Sequence, residues 1–309
     1  MEDQLNSVAY HLGEFRPLSQ CNINIMTHAL QYGTMVFGGM RGYHDAETNN
    51  VFLFRPYDHF HRLHRSSRIM QMQPSLTPEQ MADIALELVR RNEYHCNVYF
   101  RPFIYKSELK LSPRLHDVAD SFSIYTMKLD DYIDTSRGLS VAVSSWRRID
   151  DNVIPTRAKV AGGYANSALA KSEAVQNGFD EAIFLDTRGF ISEGSAENLF
   201  VVRDGVLITP PNSASILEGI TMRTIIELAK DEGIEVIRRD IGRSELYIAD
   251  EVFFTGTGAQ VAWVAQIDRR LIADGAIGPI TQCLRDRYMN LVRGRDEKFK
   301  DWAVPVYAS

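Results

Sequence analysis

The chain has 309 residues, 45% of them hydrophobic and 24% charged, enough to bury a substantial core in two ordinary domains or one large one. A formal net charge of -6 with no basic run excludes a nucleic-acid footprint, and no window approaches the ~18 apolar residues of a membrane span. Cys21, Cys96 and Cys283 stand far apart without a CxxC spacing, which reads as reduced thiols and not as a disulfide framework. The first residues carry neither a basic nor an apolar leader region, so a cytoplasmic protein is expected.

Residues 21–57 alternate short strand-like runs with turns. Within them, Tyr32-Gly-Thr-Met-Val-Phe-Gly-Gly-Met-Arg-Gly-Tyr43 is glycine-rich for a sheet segment. Glycine in strands marks bulges or close backbone approach, so the segment is either a bulged meander or the wall of a site. Asp58 is predicted to cap a helix to about Met70 that carries His59, His61, Arg62, His64, Arg65 and Arg68. No carboxylate or cysteine completes a ligand set with His61 and His64, so no metal is expected. An arginine of this helix can instead grip an anion bidentately, and spacing leaves Arg62, Arg65 and Arg68 all open.

Thr77-Pro-Glu-Gln80 is a capping box with proline at the first helical position, opening a helix to about Arg91. Asn97 to Tyr105 reads as a strand with Tyr99 and Arg101 on one side, and Ser121 to Met127 as another. The polar stretch after it places an interdomain linker at 131–138, between a first domain at 1–130 and a second at 139–309.

Leu139 to Trp146 opens the second domain as a strand. In Arg157-Ala-Lys-Val-Ala-Gly-Gly-Tyr-Ala-Asn-Ser167, Lys159 lies in a turn between the Ile154-Pro-Thr156 turn and a glycine pair. The glycines are expected to let a ligand approach the backbone. A helix should follow, capped by Asn166 or Ser167 and ended by Gly178. A lysine amine so placed can be made nucleophilic by partial desolvation or a neighbouring cation. The strand Glu181 to Asp186 and a turn at Thr187-Arg-Gly189 lead into Ile191-Ser-Glu-Gly-Ser-Ala-Glu-Asn-Leu-Phe200, and Asp204-Gly205 is a hairpin signal. Leu217 to Thr224 enters a helix whose first N–H groups, with the Thr221 hydroxyl, can form an anion site, although a threonine at a helix start is common and alone is a weak signal. Thr255-Gly-Thr-Gly-Ala259 is neither a P-loop nor a dinucleotide fingerprint, yet it can present N–H groups and the Thr257 hydroxyl to an oxyanion. A closing amphipathic helix is expected from Ile280 to about Arg293.

Lys159, Glu193 and the run Ser192 to Phe200 resemble the fold-type IV pyridoxal phosphate enzymes, in particular the branched-chain amino acid aminotransferases, from about Thr27 to Tyr288. The resemblance implies an α+β or α/β two-domain protein. Its small N-terminal domain is α/β, and its larger C-terminal domain has a β-barrel-like core flanked by helices. It implies that Lys159 holds the cofactor through its amine and moves the substrate α-proton, that Glu193 pairs with the pyridine nitrogen, and that Tyr164 bonds the ring 3′-oxygen. Glu197 would support the loop. His61-Arg-Leu-His64 is similar to the family's Gln-Arg-Leu-His, which selects Arg62 for the cofactor phosphate, together with Ile220, Thr221 and Thr257.

His28 to Arg41 likewise resembles the family's pattern around the substrate pocket. That places Tyr32, Phe37, Gly39 and Arg41 there, with Tyr99, Arg101, Tyr132, Gly258 and Ala259. Two departures stand out. Gly38 replaces a usual acidic residue, which should leave space and remove a charge, and Met127-Lys-Leu129 replaces a Pro-Trp-Gly-type segment. The implied reaction is ping-pong transfer of the amino group from leucine, isoleucine or valine to 2-oxoglutarate, with room for (R)-primary amines. The alternatives are a D-amino acid or (R)-amine transaminase, an aminodeoxychorismate lyase of the same fold, or an inactive small-molecule-binding homologue. At least a homodimer with shared pockets is implied.

Overall fold

A computed structural model describes residues 2–129 and 137–307, and the chain divides into two compact units. The first comprises 1–130, 158–162 and 290–309; the second comprises 131–157 and 163–289. This differs from the sequence reading, which gave everything beyond 139 to the second domain. Short β pairings explain it. Val160 bridges Val36, and the Phe37 N–H donates to the Lys159 carbonyl at 3.0 Å. At the C-terminus, Ala303–Pro305 pairs antiparallel with Asn50–Phe54. Residues 130–136, most of the expected linker and with it Tyr132, lie outside the described residues.

In the first unit the strands follow the hydrogen-bonded order Ala303–Pro305, Asn50–Phe54, Met40–Asp45, Val98–Lys106, Asp120–Lys128, Val8–His11 and Glu14–Pro17. Met35–Phe37 pairs with the far end of Val98–Lys106, so the Gly38-Gly39 break divides what would be one long strand. Two helices, Pro56–Ile69 and Pro78–Arg91, cover this sheet. The capping box forms as read: Thr77 Oγ1 accepts from the Gln80 N–H and Gln80 Oε1 from the Thr77 N–H. Asp58 does not cap the first helix. Proline takes its first position, so the helix starts at Pro56, and Asp58 in its first turn accepts from Arg55 Nε at 2.8 Å.

In the second unit the order is Ile191–Gly194, Glu181–Leu185, Leu139–Arg147, Gln260–Ile267, Glu251–Gly256, Asn198–Arg203, Val206–Thr209 and Val236–Arg238. Ile191–Gly194 and Asn198–Arg203 are consecutive in the chain yet lie five pairings apart along this path. Three residues join them, so the sheet must curl back on itself. This is the barrel-like core that the resemblance implied. Its interior holds Val141, Ile183, Leu199, Val201 and Phe254, all fully buried. Each contributes about 1.5–3 kcal/mol by leaving water. Asp204 and Gly205 both take positive φ in the expected two-residue hairpin.

The helix after Lys159 runs from Tyr164 to Gln176 and stops before Gly178, as read. Its start differs. Asn166 and Ser167 lie inside the helix because both are used elsewhere. Asn166 bonds the Ile149 N–H and the Arg147 carbonyl, and Ser167 accepts from Arg148.

Candidate active site

The first unit gathers one set of predicted residues around Phe37. Lys159 is half-buried, with Nζ 5.3 Å from the Phe37 ring centre. Its backbone N–H reaches Ser66 Oγ at 3.4 Å. Arg62 is buried one helical turn before Ser66, hence on the helix face that meets the Lys159 segment. The open choice among three arginines is thereby narrowed, since Arg65 and Arg68 are absent from the buried face. Burial holds His64 below the ordinary imidazole value, and its Nε2 has no partner among the described residues.

On the other side of Phe37 lies the Arg101 guanidinium, 4.8 Å from the ring centre and donating to Tyr99 Oη at 2.9 Å. Arg101 pairs with no carboxylate among the described residues, and its buried Nε has no partner there. Gly39 makes room for this pair, because a Cβ at that position would stand 2.4 Å from Tyr99 Oη. Arg41 is paired across the strands with Tyr99 and is buried, its Nη2 donating to the Leu129 carbonyl.

Gly38 departs from the expectation of free space. A Cβ there would come within 2.9 Å of the Pro102 ring, so the volume next to it is already filled. The glycines before Tyr164 also serve packing: Gly162 sits against Gly33, where a Cβ would stand 2.8 Å from the Gly162 Cα. Tyr32 is not brought to the Lys159 cluster. Its partly exposed ring packs on His28 instead.

The second unit holds the rest. Glu193 is buried, at 7% side-chain exposure, and Oε1 lies 2.9 Å from Arg148 Nη2. Oε2 accepts from Asn198 Nδ2 at 3.1 Å and from the Leu217 N–H at 3.0 Å. The helix Ile220–Asp231 starts at Gly219, and no side chain caps its first N–H groups. Glycine is required at that position: a Cβ on Gly219 would strike Asn198 Oδ1 at 2.1 Å. Glu197 supports the loop, accepting the Ala196 N–H at 3.0 Å. Thr257, Gly258 and Ala259 form the turn after Glu251–Gly256.

Thr255 registers with Asn198 across the strands, so its side chain shares the face of the Glu193 network. Its Oγ1 is buried without a partner among the described residues. Sequence reasoning missed Arg148, Asn198, Gly219 and Thr255. Asn198 and Thr255 stood inside quoted motifs, whereas Arg148 carried no signal.

An uncapped helix start and a buried orphan hydroxyl suit an oxyanion, and a buried carboxylate suits a cationic ring nitrogen. These donors of the second unit, and the half-buried lysine of the first, are each of the kind that pyridoxal phosphate requires. The family model described as amino-transferase class IV matches residues 35–267. The chain belongs to the class IV aminotransferase family. This family is pyridoxal phosphate dependent.

This class IV aminotransferase is 45% identical over 300 residues to a probable branched-chain-amino-acid aminotransferase of Aquifex aeolicus (strain VF5), covering 97% of this chain and 96% of the relative. It is similar to the solved branched-chain aminotransferase of Thermoproteus uzoniensis with norvaline, at a TM-score of 0.94 and 38% identity, covering 97% of this chain and 99% of that one. The branched-chain amino acid aminotransferase of Thermobaculum terrenum, solved in its PLP-form, is also similar, with a TM-score of 0.94, 35% identity and coverage of 99% and 100%.

Proposed function

We propose that in this pyridoxal-phosphate-dependent branched-chain-amino-acid aminotransferase Lys159 is the catalytic amine, and that Arg62, Tyr164, Glu193, Ile220, Thr221 and Thr257 hold the cofactor. When bound, the cofactor supplies an electron sink for the charge left at the substrate Cα as its proton departs. Lys159 Nζ would hold the cofactor at rest and, once released by the incoming amine, would take the substrate Cα proton as general base and give it up again as general acid. Its main chain is fixed at both ends for this work, by Ser66 Oγ at the N–H and by the Phe37 N–H at the carbonyl.

Arg62 and the N–H groups of Ile220 and Thr221 neutralise the phosphate, with the Thr257 hydroxyl as a further donor. Glu193 offers its buried charge to the ring nitrogen, an interaction that counts most in the transition state. Tyr164 donates to the ring 3′-oxygen. Arg101, with Tyr99 orienting it, takes a substrate carboxylate, and Phe37 supplies an apolar wall beside Lys159. Gly39, Arg41, Tyr132, Gly258 and Ala259 complete the pocket. The observation that carries this reading is Lys159 Nζ over Phe37, beside the helix face that buries Arg62.

The acceptor is proposed to be 2-oxoglutarate, whose second carboxylate needs a cation such as Arg101. The protein is proposed to act in the cytoplasm as a homodimer. Ile25, Met26, Leu30 and Tyr32 are exposed beside Leu109 and Leu111, on two segments tied by the His28 N–H to Glu108 carbonyl bond and by His28 Nε2–H to the Ser112 carbonyl. This apolar patch suits a second copy, which would bring Tyr32 to its partner's pocket.

The test is a half-reaction followed through the cofactor's visible band in the purified yellow protein. L-leucine should bleach it quickly. D-alanine bleaching it in place of L-leucine would move the protein to D-amino acids, and a colourless, unreactive protein would overturn the reading.

A further inference from the structure

Arg148 follows directly on the strand Leu139–Arg147 and is held at its main chain and at both terminal nitrogens of its guanidinium, while its buried Nε has no partner among the described residues. Its N–H donates to the Leu185 carbonyl at 2.8 Å, and its guanidinium lies 5.5 Å from the Phe184 ring centre. Nη1 donates to Ser167 Oγ at 3.5 Å, and Nη2 meets Glu193 Oε1 at 2.9 Å. The side chain is only 11% exposed. Among the described residues Glu193 is the only carboxylate that Arg148 pairs with. A cation is costly to bury, and its placement against this one acid calls for a reason beyond surface charge.

Burial favours the protonated form of a carboxylic acid, and nearby negative charge favours it further. The segments paired with or bonded to Glu193 in its unit carry further acids: Glu181 and Asp186 on and just after the neighbouring strand, Glu197 and Glu218, with Glu181 held by Lys171 and Asp186 by Arg188. Glu197 accepts from the Ala196 N–H at 3.0 Å, and Glu218 from Asn212 Nδ2 at 3.1 Å. Asn198 and the Leu217 N–H stabilise the anion as neutral donors. Arg148 adds a full positive charge at contact distance.

We propose that Arg148 is a positioning residue that acts through Glu193, keeping the buried carboxylate charged and aimed so that it remains an anionic partner for the cofactor's ring nitrogen across the working pH range. The inference rests on the reading of Glu193 given above. It implies a trade: without Arg148, Glu193 would grip the ring nitrogen well at high pH but would take a proton itself as the pH falls, and the grip would be lost.

The test titrates the full-length protein with pyridoxamine 5′-phosphate between pH 6 and pH 8, following tryptophan fluorescence. This cofactor form makes no covalent link to lysine, so the lysine's own titration drops out. Each variant is read as the ratio of its Kd to that of the unaltered protein, which cancels titration of the ligand phosphate. For Arg148→Met the ratio should rise about tenfold from pH 8 to pH 6, since a lost acidic partner changes binding by up to tenfold per pH unit. Arg148→Gln stands in if the methionine variant does not fold. Arg148→Lys should restore a flat profile, and Arg148→Met with Glu193→Gln should be flat because nothing is left to titrate. A flat ratio in Arg148→Met, with Glu193→Gln alone weakening binding, overturns the role of Arg148 and spares that of Glu193. Unchanged binding in Glu193→Gln at every pH overturns both.

Discussion

Replacing Gly219 by alanine tests how tightly the Glu193 network is built. The added Cβ would stand 2.1 Å from Asn198 Oδ1 and 3.3 Å from its Cγ, against 3.4–4 Å for ordinary contact. Backbone geometry does not object, because φ at Gly219 is -67°. The cost therefore lies in Asn198, which must move. Overpacking of this kind costs about 1–3 kcal/mol. Loss of the 3.1 Å Asn198 bond to the Glu193 carboxylate adds about 1.5–3 kcal/mol, the usual range for a hydrogen bond to a charged group. Partial relaxation makes about 3 kcal/mol a fair sum, or roughly 5 °C in melting temperature for a chain of this length.

The assay is a melting curve on Gly219→Ala, Asn198→Ala and the double variant. In the Asn198→Ala background the clash partner is gone, so Gly219→Ala should cost less than about 1 kcal/mol, and the two changes should be strongly non-additive. Equal cost in both backgrounds, or no cost in either, would refute the reasoning.

Gly39→Ala should displace the Tyr99 hydroxyl and release Arg101, lowering kcat/KM for the amino donor at least tenfold with pyridoxamine 5′-phosphate affinity unchanged; equal loss of cofactor affinity would mean that the change spreads beyond the pocket. Leu30→Glu, on the exposed apolar patch, should shift the protein toward monomer in sedimentation, and an unchanged mass would remove that patch from the interface. Asp180 supplies a pH prediction. Hydrogen bonds from Arg137 at 2.7 and 2.8 Å hold its carboxyl below the usual range, against the opposing effect of burial, and the Ser140 N–H assists. The stabilisation is present above the ordinary carboxylate value and is lost as pH falls through the lowered one. Asp180→Asn should therefore cost up to about 1 kcal/mol at pH 7, limited by the exposure of Arg137, and progressively less as the pH falls below the ordinary carboxylate value. A gap that stays constant or widens as the pH falls through the acid range would contradict the assignment.

Elements whose signals are local could be read from the sequence. The capping box at Thr77, the Asp204-Gly205 hairpin and the helix stop at Gly178 each depend on a few adjacent residues. Helix starts at Pro56 and Tyr164 were misread for a common reason. Asp58, Asn166 and Ser167 are good caps in isolation, but Arg55 and the 147–149 segment engage them instead. The C-terminal strand Ala303–Pro305 was invisible because its pairing with Asn50–Phe54 spans some 250 residues. At the candidate site, Lys159 and Glu193 can be proposed from the sequence because each stands in a motif. Arg148 cannot, since an arginine after a strand looks ordinary until the fold brings Glu193 to 2.9 Å. The consequence of Gly38 was misjudged for a similar reason: the ring that fills its space belongs to Pro102, 64 positions away.

The central claim is that Lys159 is the amine that carries the cofactor. Borohydride treatment of the yellow protein fixes the cofactor to its lysine, and peptide mass mapping then locates the added mass. The account predicts a single labelled site at Lys159, with Lys159→Ala folded but unlabelled and inactive. Label on a different lysine, or more than a few per cent of activity remaining in Lys159→Ala, would contradict it.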